Sequence, residues 1–513
     1  MRRPRAVGEA AVNQAVLDLL NRFQYPDNEA LAPPFEFGGG GGAPTIVIAA
    51  ANSTDISKGK ADFICPGVND QEIIQEALDS LTVGGRILFC EGTFSLSFGG
   101  SANIVTSGGF SGITFQGMGT EATILNVTDS FGGSALDRFV FECTDADITF
   151  AHLSLQGGTG TLGLTNGIAL GNHGKVLDCI LATDGVGVRL TSGDSTVHAT
   201  QFFGDDGVEV FGATSVVSDC QFDGVDGIGI YVSGVSQVVL ADNHMKTGEE
   251  GIYLENGCSR VQIVGNQIWS TLDAIYAEST THMTITGNGL RADSGRGVNL
   301  GDDQVGGVTI TGNAFYRCDD GAVQVLGGFD VKVVGNNIFE SPFFGATPSI
   351  HYDHTGTLAD TDYGAQVVAN TIDIGNGTAI EIEEYHGSVV ADNIIREPQL
   401  HGILITNSDR CSVTGNVVEA ASQDATNTSD QIQVTGDRNT VQANKLIPLG
   451  GAFVPRYGVN VVSGECNMVV GNDLGDPDDY GTDALNDTGA NTQLFYPADV
   501  IYGDNFTDCG TGS

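Results

Sequence analysis

From residue 179 onward, short runs of alternating apolar and polar residues recur with a nearly constant period. Val238-Val-Leu-Ala-Asp-Asn243, Val261-Gln-Ile-Val-Gly-Asn266, Met283-Thr-Ile-Thr-Gly-Asn288, Val308-Thr-Ile-Thr-Gly-Asn313 and Val331-Lys-Val-Val-Gly-Asn336 repeat one phrase, which returns at Asn370, Asn393, Asn416, Asn444 and Asn472. Successive asparagines stand 23, 22, 25, 23, 34, 23, 23, 28 and 28 residues apart, and Cys179, Thr200 and Cys220 extend the column backwards. A period near 23 with apolar alternation of period two predicts coils of short strands, each stacked about 4.8 Å above the last. The asparagines then fall on one bend, where their amides can hydrogen-bond up the column, and Gly265, Gly287, Gly312, Gly335, Gly415 and Gly471 accept the positive φ that such a bend demands. The predicted fold is all-β, a right-handed parallel β-helix with a shaft of about 60 Å at that rise.

Ahead of the coils, Ile46 to Ala49 reads as a strand. Asn69 and Glu72 read as a capping box opening a helix with Ile73, Ile74, Ala77 and Leu78 on one face, and Arg86-Ile-Leu-Phe-Cys90 reads as the strand that leaves it. A short amphipathic helix in that place covers the open end of a solenoid core. Further upstream, Val12, Val16, Leu19, Leu20 and Phe23 make an apolar helical stripe that ends before Pro26. The expected organisation is a helical attachment or oligomerisation stub (1–34), a Pro/Gly-rich tether (35–44), a cap (45–100), the β-helix (101–475) and a C-terminal capping segment (476–513).

Charge narrows the partners. With 21 Lys and Arg against 64 Asp and Glu in 513 residues the net charge is −43, which opposes binding to a phosphate backbone. Residues 1–34 carry four basic and four acidic side chains, so the shaft holds the whole imbalance. No stretch has the apolar span of a membrane helix, and Glu9, Asn13, Gln14 and Asp18 interrupt the place where a secretion signal would be apolar. Nucleic acid, membrane insertion and a signal peptide are therefore not expected. The ten cysteines are too sparse for a disulfide scaffold and lack zinc spacing; reduced, buried thiols are expected, with one bridge between Cys65 and Cys90 left open.

The segment Ala61-Asp-Phe-Ile-Cys-Pro-Gly-Val-Asn-Asp-Gln-Glu72, the helix to Leu81 and Gly84-Gly-Arg-Ile-Leu-Phe-Cys-Glu-Gly-Thr-Phe94 resemble the opening cap of pectate-lyase-superfamily β-helices. The chain is similar in particular to the β-helical minor tail and tail-spike proteins of bacteriophages. That resemblance implies a virion protein made in the host cytoplasm, usually a homotrimer. Its N-terminal stub would attach to other tail proteins while the shaft faces the host.

Chemistry is expected on the strand that precedes each asparagine strand. With Val208, Val210, Ile228, Ile230, Ile252, Leu254, Ile275 and Ala277 pointing inward, Glu209, Phe211, Tyr231, Tyr253, Glu255, Tyr276 and Glu278 point out. Rings beside carboxylate acceptors suit a glycan, whose sugars offer apolar C–H faces and hydroxyl edges; they equally suit a packed subunit surface. Phe211, Tyr231, Tyr253 and Tyr276 are the expected glycan contacts. Glu255 and Glu278, one coil apart, make a candidate pair for glycoside hydrolysis. A second candidate group is His351 and Asp353 with Glu381 and Glu383, beside insertions near 341–349, 420–430 and 447–457. Asp206, Asp226, Glu250 and Asp273, followed by Asp320 and interrupted by Arg296, form an acidic line that suits calcium or ordinary turn chemistry. Gly204-Asp-Asp-Gly207 is similar to the paired-Asp motif of polygalacturonase-type hydrolases, but the companion Asn-Thr-Asp and Arg-x-Lys motifs are missing, and an acidic surface disfavours a polyuronate substrate. Three readings follow: a virion protein that binds host-surface polysaccharide and could cleave it, a free polysaccharide lyase or glycoside hydrolase, and an inert shaft.

Overall fold

A computed structural model describes residues 44–495 apart from 83, 99–102, 107–110, 130–137, 158–164, 303, 344–345, 355–363, 374, 424–427, 449–453, 476–479 and 490–491. The expected stub and all of the tether but Pro44 lie outside the described residues.

Three long parallel sheets wrap one core. The first, of 16 strands, runs from Ile104–Thr106 to Asp483–Asp487; the second, of 19, from Thr45–Ala49 to Gln493–Phe495; the third, of 15, from Gly92–Ser97 to Lys445–Ile447. One coil takes one strand from each in turn, as in Ile252–Glu255, Gln262–Val264 and Gln267–Ser270. Each strand pairs with the equivalent strand a coil away, so side chains of one type form vertical files. Alternate residues point inward and bury Val, Ile and Leu in every coil. Phenylalanines stack in the early coils, Phe115 on Phe150 at 4.7 Å and Phe202 on Phe222 at 4.8 Å between ring centres.

The asparagines stand in one file. From Asn243 to Asn444 each side-chain Nδ2 donates to the Oδ1 of the next asparagine at 2.9–3.0 Å, and that oxygen also accepts the backbone N–H of the residue below. The second Nδ2 hydrogen satisfies a carbonyl one coil further back, for example Ile285 O from Asn313. Each amide thus closes the hydrogen-bond needs of a bend that no strand ladder reaches. The preceding residue is left-handed throughout the file: the six predicted glycines have φ of 63° to 70°, and Asp178, Asp219, Asp242 and Asp392, with Ala199, Ala369 and Ala443, adopt it at 48° to 57°. A second such pair, Asn439 and Asn467, occupies the bend between the first and second sheets, where Asn439 N–H donates to Asn467 Oδ1.

Four expectations need correction. Asn69 does not cap by its side chain: it is itself left-handed, and the Asp70 carboxylate instead accepts the N–H groups of Gly67 and Ser95, tying helix Asp70–Asp79 to the first third-sheet strand. Ile228 lies before its strand; the inward pair of that coil is Ile230 and Val232, in register with Val208 and Val210. Parallel pairing runs past residue 475, since Asp483–Asp487 stacks on Tyr457–Val461 and Gln493–Phe495 on Met468–Val470. Reduced, buried thiols are found at eight cysteines, Cys65 and Cys90 among them, but the expectation fails at Cys466, which is disulfide-bonded.

Candidate functional site

The outer face of the first sheet carries both candidate groups on one continuous file. Arg189, Glu209, Tyr231, Tyr253, Tyr276, Asn299, Gln324, His351 and Glu381 are successive register partners. Side chains at equal register leave a pleated sheet on the same side, so the aromatic and histidine groups share one face.

The tyrosines form a zigzag ladder. Phe211 to Tyr231, Tyr231 to Tyr253 and Tyr253 to Tyr276 are 5.8, 5.6 and 5.0 Å between ring centres, inclined at 67° to 71°. Edge-to-face contact is the favoured geometry for such rings. Arg189 pairs with Glu209 and covers Phe139 and Phe211 at 4.8 and 5.8 Å. Two residues along the strands, Ser233, Glu255 and Glu278 form a parallel file whose carboxylates accept hydrogen bonds from the phenols: Tyr231 O–H donates to Glu255, Tyr276 O–H to Glu278 at 3.1 Å, and Tyr253 O–H lies 3.3 Å from Glu255 and 3.4 Å from Glu278. Burial and the neighbouring carboxylates raise all three phenols, Tyr276 to about 12. Glu255 and Glu278 are thus held between tyrosines with lone pairs to spare, an arrangement that can accept hydroxyl protons along several coils.

Beyond Tyr276 the face becomes polar and enclosed. Asn299 and Gln324 are each 8% exposed although they point outward, and among the described residues Asn299 Oδ1 and Gln324 Oε1 have no partner. Asn299 Nδ2 donates to Asp273 at 2.7 Å. On the following coils His351 and Asp353 align with Glu381 and Glu383. Ligand atoms of His351, Asp353 and Glu383 lie within 4.8 Å of one another. Burial lowers the His351 pKa against the raising effect of Asp353, and burial followed by like-charged neighbours raises Glu381 and Glu383. Burial thus works against the charged form of the imidazole and of both glutamates, a set of groups that suits proton transfer.

The acidic line is used differently along its length. Asp206 Oδ1 accepts Ile228 N–H at 2.8 Å and Asp273 Oδ1 accepts Arg296 N–H at 2.6 Å, each a carboxylate bridging to the turn of the next coil. Burial raises Asp205, Asp206 and Glu250. Asp226 is exposed and Glu250 and Asp273 half-buried. Among the described residues the group that brings three ligand atoms together is that of His351, and none of Asp206, Asp226, Glu250 and Asp273 belongs to it.

Sequence reasoning missed a second outward aromatic file, on the third sheet. Lys246, Trp269 and Arg291 are register partners, with the cations 5.5 and 4.1 Å from the indole, and Tyr316 stacks on Phe339 at 5.6 Å. Trp269 is 41% and Tyr316 46% exposed. Continuing the alternation past each asparagine would have found it.

Two family models match. Residues 168–344 match that described as periplasmic copper-binding protein (NosD), and residues 347–474 that of the right-handed beta helix region. No curated protein matches. Among solved structures, the A-module of the Azotobacter vinelandii mannuronan C-5 epimerase AlgE6 is 13% identical at TM-score 0.44, covering 85% of this chain and 97% of its own. A mutant tailspike protein of E. coli bacteriophage HK620, in complex with pentasaccharide, is 12% identical at 0.41, covering 85% and 76%. A mutant of the periplasmic alginate epimerase AlgG is 12% identical at 0.34, covering 63% and 76%. At such identity and similarity these neighbours carry no argument about activity. The parallel coils and the second family model meet in one statement: the chain is a right-handed parallel β-helix.

Proposed function

We propose that the outer face of the first sheet binds a polysaccharide laid along the shaft, and that the protein is a virion tail-spike or minor tail protein that uses this face on host-surface glycan. The observation that carries the proposal is the ladder of Phe211, Tyr231, Tyr253 and Tyr276 at coil spacing, with Glu255 and Glu278 between the hydroxyls. Such a ladder offers apolar surface and fixed acceptors along the shaft, matching a polymer that alternates C–H faces and hydroxyl edges. The virion role rests on the resemblance of the cap and on the charge pattern. It assigns residues 1–34 to attachment and the assembly to a homotrimer, with neither nucleic acid nor membrane as partner.

The test is titration of purified host envelope glycan by calorimetry. Tyr253→Ala and Tyr276→Ala are expected to weaken binding; equal affinity in both would refute the glycan face. Particles assembled with a chain lacking residues 1–34 test the attachment role, which fails if incorporation persists. A second reading, cleavage of the bound glycan, is favoured by Glu255 and Glu278 standing one coil apart, close to the roughly 5 Å separation of a retaining carboxylate pair. Release of reducing ends, lost in Glu255→Gln or Glu278→Gln with binding kept, would establish it; no release by the unaltered protein would remove it.

A further inference from the structure

We infer that His351, Asp353 and Glu383 bind one divalent transition-metal ion of the Zn2+ or Mn2+ kind on the first-sheet face, with Gln324 Oε1 as a further donor. His351 and Asp353 are two apart on one strand and therefore point to the same side, and Glu383 is the register partner of Asp353 on the next coil. Their ligand atoms already lie within 4.8 Å of one another. Three atoms no more than 4.8 Å from one another lie within about 2.8 Å of a common centre, so reaching the roughly 2.1 Å of a metal–ligand bond needs less than an ångström of movement from each.

An independent observation points into the same place. Gln324 is the register partner of His351 on the preceding coil, so its side chain leaves the sheet next to the imidazole. It is 8% exposed, yet among the described residues its Oε1 has no hydrogen-bond partner. A buried carbonyl oxygen without a donor is a costly group, and the hard cation that the carboxylates attract would satisfy it. The donor set selects the ion. One imidazole with two carboxylates and an amide oxygen suits zinc or manganese, whereas calcium prefers oxygen ligands alone, in greater number. Glu381 is the register partner of His351 on the following coil, which makes it the neighbouring carboxylate for the second ring nitrogen of a metal-bound imidazole.

The site is independent of the glycan proposal, and its test needs no sugar. Full-length protein freed of metal with a chelator is titrated with Mn2+ in excess Mg2+, which occupies weak surface carboxylates. Loss of the free-ion electron paramagnetic resonance signal gives the stoichiometry, and electron spin echo modulation reads nitrogen coupling on the unaltered chain. One ion per chain with an imidazole nitrogen coupling is expected. Weakening of at least about tenfold is expected in His351→Ala and Glu383→Gln, checked for native circular dichroism, and none in Asp293→Asn, an exposed carboxylate just past the third-sheet strand Gly289–Ala292. Zn2+ should displace Mn2+, and Ca2+ at equal concentration should not. Absence of the nitrogen coupling, several weak ions per chain, or equal loss in Asp293→Asn would overturn the assignment.

Discussion

Two files of side chains climb the same shaft, and they obey different rules. Inside the bend between the second and third sheets, asparagine follows asparagine from Asn243 to Asn472, each hydrogen-bonded to the next. On the outer face of the first sheet the register is equally strict, yet the residue changes along the file: Arg189, Glu209, three tyrosines, Asn299, Gln324, His351 and Glu381. The inner file repeats because every bend leaves the same backbone groups unpaired, and one amide answers all of them. The outer file is free of that demand, so its composition reports what the surface meets. A fixed scaffold with a variable face is how repeat proteins build extended binding surfaces.

Exchanging residues in the two files should separate them. The largest effect is expected inside: Asn313→Ala strands the Asn288 N–H, takes one acceptor from Asn288 Nδ2 and one donor from the Ile285 carbonyl, and should cost about 3 kcal/mol, read as a lower midpoint in urea unfolding. The outer exchange Tyr253→Ala should disturb the urea midpoint less than Asn313→Ala while weakening glycan affinity about tenfold, or about 1.4 kcal/mol. Equal loss of stability from both would erase the distinction between the files.

The tyrosines also give the outer file a signature in alkali. Tyr276 ionises near 12 rather than 10, held neutral first by burial and then by Glu278. A folded-state pKa above the unfolded one stabilises fully below pH 10 and is lost as pH rises towards 12. Unfolding followed between those limits should show that loss, and phenolate absorbance should place Tyr276 lower in Glu278→Gln. An unchanged titration in that variant would contradict the contact. The smallest effect is expected at the bend itself. Gly287 has φ of 66° with open space around its Cα, and Ala199, Ala369 and Ala443 already adopt that conformation in the same file. Gly287→Ala should therefore cost about 1 kcal/mol by urea unfolding and leave glycan binding intact.

Much of this was legible in the chain because strands and bends repeat with fixed periods. The asparagine phrases gave the coil, and alternation gave the outward set even where the strand was misplaced: Ile228, Ile230 and Val232 share parity, so Tyr231 points out under either choice. What the period does not carry stayed hidden. The Asn69 cap fits the sequence pattern but sits in a left-handed backbone and makes no side-chain capping hydrogen bond. The two candidate groups looked like separate sites because the insertions between them obscure the count of coils; only register shows that Tyr276 and His351 lie on one file. The enclosure of Asn299 and Gln324, outward by alternation yet buried, depends on what folds over them, which periodicity does not encode.

The most direct test of the glycan face is diffraction from crystals soaked with an oligosaccharide released from the host envelope. Sugar rings are expected along Phe211, Tyr231, Tyr253 and Tyr276, with hydroxyls on Glu255 and Glu278. Sugar density over Trp269, Tyr316 and Phe339 on the third sheet, with the first-sheet face bare, would contradict the account.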